Sequence, residues 1–200
     1  VLGLIAVAMF SCNEPTFNVS VDLQNAEGKM IYLQKRADKE LITIDSAMMQ
    51  NNLVNFVVET SDIAAHYYVR IQGMRFPISF FSENNDVLIS GDFKDDRNII
   101  ANGSDAQQLI NDYNAEMKNF SNQSKELFEK YEIAAKNNDE TAIQAIESEY
   151  EQVEKNQTTY QNLFLTKNSN SFVAPYILYN NRYNYELNEL EDFVNNFNIK

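Results

Sequence analysis

The feature that most constrains this chain is a change of hydrophobic period at Asn102-Gly-Ser104. Before it, Phe17-Asn-Val-Ser-Val-Asp-Leu-Gln24 alternates apolar and polar residues without a fault, the mark of a strand with one buried face. After it, Ile110, Tyr113, Met117, Phe120, Ser124, Leu127, Tyr131 and Ala134 recur in steps of three and four, which places them on one stripe of a helix. A period that switches once in this way predicts strands first and helices second, an α+β fold.

In the first half, Asn25-Ala-Glu-Gly28 supplies turn residues and Lys29-Met-Ile-Tyr-Leu-Gln34 follows as a second strand, so the two are expected to pair as a hairpin. Short apolar runs recur at 41–44, 53–58, 66–71, 76–81 and 87–90 between turn-like breaks. They predict an antiparallel β-sandwich, or a partly open barrel, of about seven strands. Gly91-Asp-Phe-Lys-Asp-Asp96 holds three carboxylates, but not at the alternate positions of a calcium loop, and reads as a solvated turn.

In the second half, Ser104 with Gln107 has the form of a capping box, and Lys136-Asn-Asn-Asp139 breaks the stripe with Asp139 as the next N-cap. Ile143, Ile146, Tyr150, Val153, Gln157, Tyr160 and Phe164 then resume the same steps. Helices joined by so short a turn are expected to lie antiparallel, a coiled-coil-like helical hairpin with arms of roughly 40 Å at about 1.5 Å per residue. Two shorter helices follow. Phe172, Tyr176, Tyr179 and Tyr183 mark the first, with Pro175 near its start; Asn188-Glu-Leu-Glu191 opens the second, whose buried stripe is Leu190, Phe193, Val194 and Phe197.

The residue inventory narrows function. With 29 acidic residues against 16 Lys and Arg, the net charge is -13, and the basic footprint of a nucleic-acid binder is missing. One cysteine makes neither a disulfide nor a Cys-x-x-Cys pair, and one histidine, His66, cannot build a His-rich metal cluster. No catalytic residue, metal or cofactor is therefore expected, and His66 reads as a structural histidine. The acidic excess of the helical half, interleaved with lysines, reads as a solvated face, with a dimerisation or docking arm as the second reading. Tyr176, Tyr179, Tyr183 and Tyr185 are of a type that stacks on sugars or aromatic peptides, but their helical spacing favours core packing.

Ahead of the strands, Val1 to Phe10 is an apolar run that ends in Ser11-Cys12. It is too short to span a bilayer, which takes about 20 apolar residues, and has the length of a signal-peptide hydrophobic region. Met9-Phe-Ser-Cys12 resembles the bacterial lipobox, which implies a lipid on Cys12 and attachment to a membrane. Asn13 after the cysteine fits outer-membrane sorting under enterobacterial rules, and Glu14 alone is a poor match to an acidic surface-export signal, so a position in the cell envelope facing the periplasm is expected. Val1 in place of Met, with no basic segment before the apolar run, predicts that the true N-terminus lies upstream; truncation after Lys200 is the corresponding expectation at the other end. The organisation is then 1–12 signal segment, 13–103 β-sandwich domain and 104–200 helical domain.

The order of these parts also resembles a known family. A lipobox, Phe17 to Gln24, Met30-Ile-Tyr-Leu33, Ile44-Asp-Ser46, Val87-Leu-Ile-Ser-Gly-Asp92, Asn102-Gly-Ser104 and Asn170-Ser-Phe-Val-Ala-Pro-Tyr-Ile-Leu178 are arranged as in the N-terminal region of Bacteroidetes-type thiol-disulfide oxidoreductase lipoproteins, a domain of unknown function ahead of a thioredoxin-like domain. The resemblance implies a non-catalytic accessory region that positions a downstream redox domain carrying the Cys-x-x-Cys. The alternative is a stand-alone lipoprotein that binds a glycan, peptide or envelope protein. Asp45-Ser46-Ala47 resembles the Asp-Ser/Thr-apolar acceptor of that bacterial group's O-glycosylation system, against a preferred reading as a turn in which Asp45 bonds its own backbone.

Overall fold

The structure, a computed structural model, describes residues 15–37, 40–61 and 65–198. Among them eight strands precede four α-helices: β1 (Thr16–Gln24), β2 (Met30–Ala37), β3 (Glu40–Met48), β4 (Leu53–Glu59), β5 (Ala65–Ile71), β6 (Ile78–Ser82), β7 (Val87–Asp92) and β8 (Asp95–Asn102), then α1 (Asp105–Lys136), α2 (Glu140–Lys167), α3 (Val173–Asn180) and α4 (Leu187–Asn196). The chain divides into two compact units, Val1–Ser104 and Asp105–Lys200.

In the first unit the strands form two four-stranded sheets, ordered β4-β1-β7-β8 and β3-β2-β5-β6, in a sandwich-like arrangement that is not a closed barrel. The alternation read in the sequence is the burial pattern: Phe17, Val19, Val21 and Leu23 of β1, Ile31 and Leu33 of β2, Val54, Phe56 and Val58 of β4, and Tyr67, Val69 and Ile71 of β5 all enter one core. Two expectations need correction. The first two strands are not a hairpin. β1 pairs β4 and β7, whereas β2 pairs β3 and β5 in the other sheet. The link between them buries Ala26 in the core and bonds instead to Met49, whose carbonyl accepts from the Gly28 N–H at 3.1 Å and whose N–H donates to Lys29 at 2.8 Å. Turn residues between two strands direct a reversal, but they do not say whether it stays in one sheet.

The sheets are also not wholly antiparallel, and there are eight strands rather than about seven: β1 and β7 run parallel, and β8 was not foreseen. The extra strand comes from the acidic stretch after Gly91, which turns the chain back on β7. Asp92 ends β7, Phe93 and Lys94 make a two-residue turn, and Asp95 starts β8, with the register shifting between Ser90 and Asp92. β8 buries only Ala101, so it carries almost no alternation to read.

In the second unit α1 and α2 hold 32 and 28 residues. Asp139 caps α2, its carboxylate accepting from the Ala142 N–H at 3.0 Å, after Asn138 turns the chain at φ 54°. Phe120, Leu127 and Val153 form a buried cluster backed by Met117, Ile146 and Tyr160. The Tyr113 ring lies 5.0 Å from that of Phe164. The last helix departs from expectation: α4 starts at Leu187, and Val194 is exposed at 59% while no α4 residue is fully buried. Its opening is set by Glu189, which accepts the Glu186 N–H at 2.8 Å, so the first turn forms ahead of Asn188.

Gly103 has φ of +148°, and a Cβ there would stand 2.8 Å from Val87 Cα and closer still to the Asp86 carbonyl. Gly28, at φ +72°, has nothing within 4 Å of such an atom. Gly103→Ala is therefore expected to cost about 3 kcal/mol in urea unfolding and Gly28→Ala about 1 kcal/mol; equal losses would contradict the backbone contact.

Candidate functional site

α3 buries Val173, Ala174, Ile177 and Leu178, so its core face is aliphatic and not the aromatic stripe expected. The helix ends at Asn180; Tyr183 falls in a single 3-10 turn over Arg182–Asn184 and Tyr185 in extended backbone, which breaks the helical spacing on which core packing rested. Tyr179 and Tyr183 are exposed, at 63% and 85%. Between them stands Arg182, whose guanidinium carbon lies 4.3 Å from each ring centroid. Its Nη1 donates to the Tyr179 carbonyl at 2.6 Å and its Nη2 to the Tyr183 hydroxyl at 2.9 Å. Cation–π attraction and the negative end of α3 both favour this position. The result is an aromatic and cationic surface of the kind that meets sugars or anionic groups. Arg182 was not singled out from the sequence. The signal was Asn180-Asn181, which ends the helix and gathers Tyr179, Arg182 and Tyr183 on one turn.

Tyr185 faces inward instead. The Tyr113 hydroxyl donates to Gln161 Oε1 at 3.0 Å, Gln161 Nε2 donates to the Tyr185 hydroxyl at 2.6 Å, and that hydroxyl donates to Asn162 Oδ1 at 3.0 Å. The Tyr185 ring also meets Phe193 edge-on at 5.5 Å. Burial, with Tyr185 and Tyr160 nearby, pushes the Tyr113 phenol up to about 12. This network is structural, and Tyr176 is half-buried in α3.

Ser46 is exposed on β3, an edge strand with no buried residue. The turn expected at Asp45 is instead a bulge: Leu33 pairs Asp45 and Gln34 pairs Thr43, leaving Ile44 as the extra residue. Asp45 does bond the backbone, accepting the Ser46 N–H at 2.7 Å. Cys12 lies outside the described residues.

Of the acidic turn, Asp92 accepts from the Lys94 N–H at 2.9 Å and from Asn25 Nδ2 at 2.8 and 2.9 Å, bonds that in this order hold its carboxyl below the usual range. Among the described residues no group of three or more His, Cys, Asp or Glu is placed to hold a metal ion, and no helix is long and apolar enough to cross a membrane.

His66 stacks on Phe81, with centroids 4.5 Å apart and planes at 13°, and its Nδ1 lies 3.1 Å from the Tyr68 hydroxyl. Burial, and then the charge of Arg36, lowers the imidazole to about 4. At neutral pH it is an uncharged aromatic side chain in the β5–β6 pairing.

A chain of this kind is a sandwich-like β unit followed by a helical unit, with an aromatic and cationic surface near its last helices. Residues 16–110 match a family model described as Domain of unknown function (DUF4369), a stretch that spans all eight strands and ends within α1. No curated protein and no solved structure matches the chain.

Burial of the His66 imidazole makes folding stability depend on pH. The unfolded chain binds a proton at His66 below about 6.5 and the folded chain only below about 4, so stability is lost as pH falls between them and is constant outside that window. Denaturant unfolding at pH 7.5 and pH 4.5 should show wild type losing on the order of 2 kcal/mol more than His66→Phe, after discounting for partial exposure. Parallel losses in the two proteins would remove His66 as the cause.

Proposed function

We propose that this chain is the non-catalytic, membrane-anchored front region of a cell-envelope thiol-disulfide oxidoreductase lipoprotein. The observation that carries the reading is the match of residues 16–110 to a domain of unknown function, where the order of sequence parts resembles the segment ahead of a thioredoxin-like domain. Its one cysteine, Cys12, stands in a lipobox-like sequence, so its thiol is assigned to lipid attachment and redox chemistry to a Cys-x-x-Cys further along the full-length parent. The role is positional: an outer-membrane anchor on the periplasmic side, a β-sandwich, and α1 with α2 as an antiparallel helical hairpin that sets spacing or client access for the redox domain. Support for the hairpin comes from the contacts of Tyr113 with Phe164 and of Phe120 with Tyr160, in which the later α1 residue meets the earlier α2 residue, as antiparallel helices require. Ser46, exposed beside Asp45 on an edge strand, is the proposed O-glycosylation site.

A second reading, a stand-alone lipoprotein that binds a glycan, peptide or envelope protein, is favoured by one observation, the exposed Tyr179–Arg182–Tyr183 cluster. Reading the coding DNA beyond the Lys200 codon separates the two. A frame that runs on into Trp-Cys-x-x-Cys is expected; a stop codon there sinks the redox parent and leaves the stand-alone reading. For the modifications, protein purified from its own envelope fraction should carry a lipid mass that Cys12→Ser removes, together with its membrane fractionation, and a glycan mass that Ser46→Ala removes. An unmodified intact mass that still fractionates with membranes would defeat both assignments.

A further inference from the structure

α1 and α2 leave a groove that their shared core does not fill. Leu127, Phe128 and Tyr131 of α1 and Ile146 and Tyr150 of α2 line a cavity of about 400 Å³ that opens to solvent. Leu127 forms its floor at 6% exposure, whereas Phe128 and Tyr150 stand open at 59% and 40%. On α2, Ile146 and Tyr150 make one row four residues apart, and Glu147 and Glu151 make the adjoining row. Two rows at this spacing, one apolar and one acidic, form a surface that accepts the ridge of another helix.

The charge around the groove selects its occupant. Glu147 and Glu151 make no ion pair among the described residues. Residues 125–155 carry nine carboxylates, at 126, 129, 132, 139, 140, 147, 149, 151 and 154, against four lysines, at 125, 130, 136 and 155, a local excess of five negative charges. A second copy would bring the same excess to the contact, and an anionic membrane surface would be repelled. A helix with apolar anchors on one face and Lys or Arg beside them satisfies the apolar floor and the acidic rim together. We propose that this groove docks a basic amphipathic helix of a partner protein, with Phe128 and Tyr150 as the apolar contacts and Glu147 and Glu151 as the pairing groups. The surface is independent of lipid attachment and of any downstream redox domain.

The test uses the whole chain and a fluorescent Leu/Lys peptide of amphipathic helical pattern, about five turns long, followed by anisotropy, with a Leu/Glu peptide of the same pattern as the counterpart. Saturable binding of the Leu/Lys peptide is expected. The paired change Phe128→Ser with Tyr150→Ser should weaken it at least tenfold, and Glu147→Gln with Glu151→Gln severalfold with a flatter salt dependence. Leu163→Ser, which changes an exposed α2 residue outside the groove, should leave it unchanged. Circular dichroism checks that helix content is kept; should the serine pair lose it, the glutamine pair reads the same surface. Absence of saturable binding, equal binding by both groove variants, or equal binding of the Leu/Glu peptide overturns the proposal. So does a solution mass that rises with concentration in wild type and not in the serine pair, which would place a second copy in the groove.

Discussion

The inward face of β1 is the constraint on which the first unit depends. Phe17, Val19, Val21 and Leu23 are all exposed by 2% or less, and β1 is hydrogen-bonded on both sides, to β4 and to β7. A strand with both edges paired and one face fully dry cannot slip by a single residue, because that would turn its apolar side chains to the polar face. Each of the four contributes about 2 kcal/mol of burial, so the register is held by several such terms at once. Phe17 reaches the opposite sheet, where its ring meets that of Tyr67 edge-on at 5.9 Å. Positions elsewhere in the sandwich follow from this strand: β4 and β7 take their registers from it, and the opposing sheet supplies side chains that fill the space above it.

The helical unit is held differently. Between α1 and α2 the stripe is narrow, and toward their turn it is dry only at Phe120, Leu127, Ala134 and Val153, whereas Phe164, Leu165 and the aliphatic face of α3 are buried at the other end. Polar groups therefore take part in the packing. Gln161 is 4% exposed and links Tyr113 to Tyr185, so its amide has partners on both sides and escapes the cost of an unsatisfied buried group. A stripe drawn through Tyr160 and Phe164 passes next to Gln161 without marking it, because a buried amide looks in sequence like a solvated one. The same narrowness leaves Phe128 and Tyr150 outside the core.

The features with chemical promise are accordingly surface features: an arginine held between two exposed tyrosines, a serine on a bulged edge strand, and a partly apolar groove with an acidic rim. None is an arrangement of nucleophile and base. They are exposed arrangements of aromatic, apolar and charged side chains.

The sequence by itself determined what local chemistry controls. Perfect alternation marked the inner face of β1, steps of three and four marked α1 and α2, and Asp139 marked the start of α2, because period and capping depend on near neighbours alone. Tertiary structure decided the pairings. Whether Asn25 to Gly28 turns the chain within a sheet or across the core, and whether β7 runs parallel or antiparallel to β1, depends on residues more than twenty positions away, such as Met49 and Val87. It also decided which tyrosines face out. The helical spacing of Tyr176, Tyr179 and Tyr183 counted for little once α3 stopped at Asn180 and its aliphatic residues took the buried face. Burial is shared among competing side chains, and that competition is settled only when the elements meet.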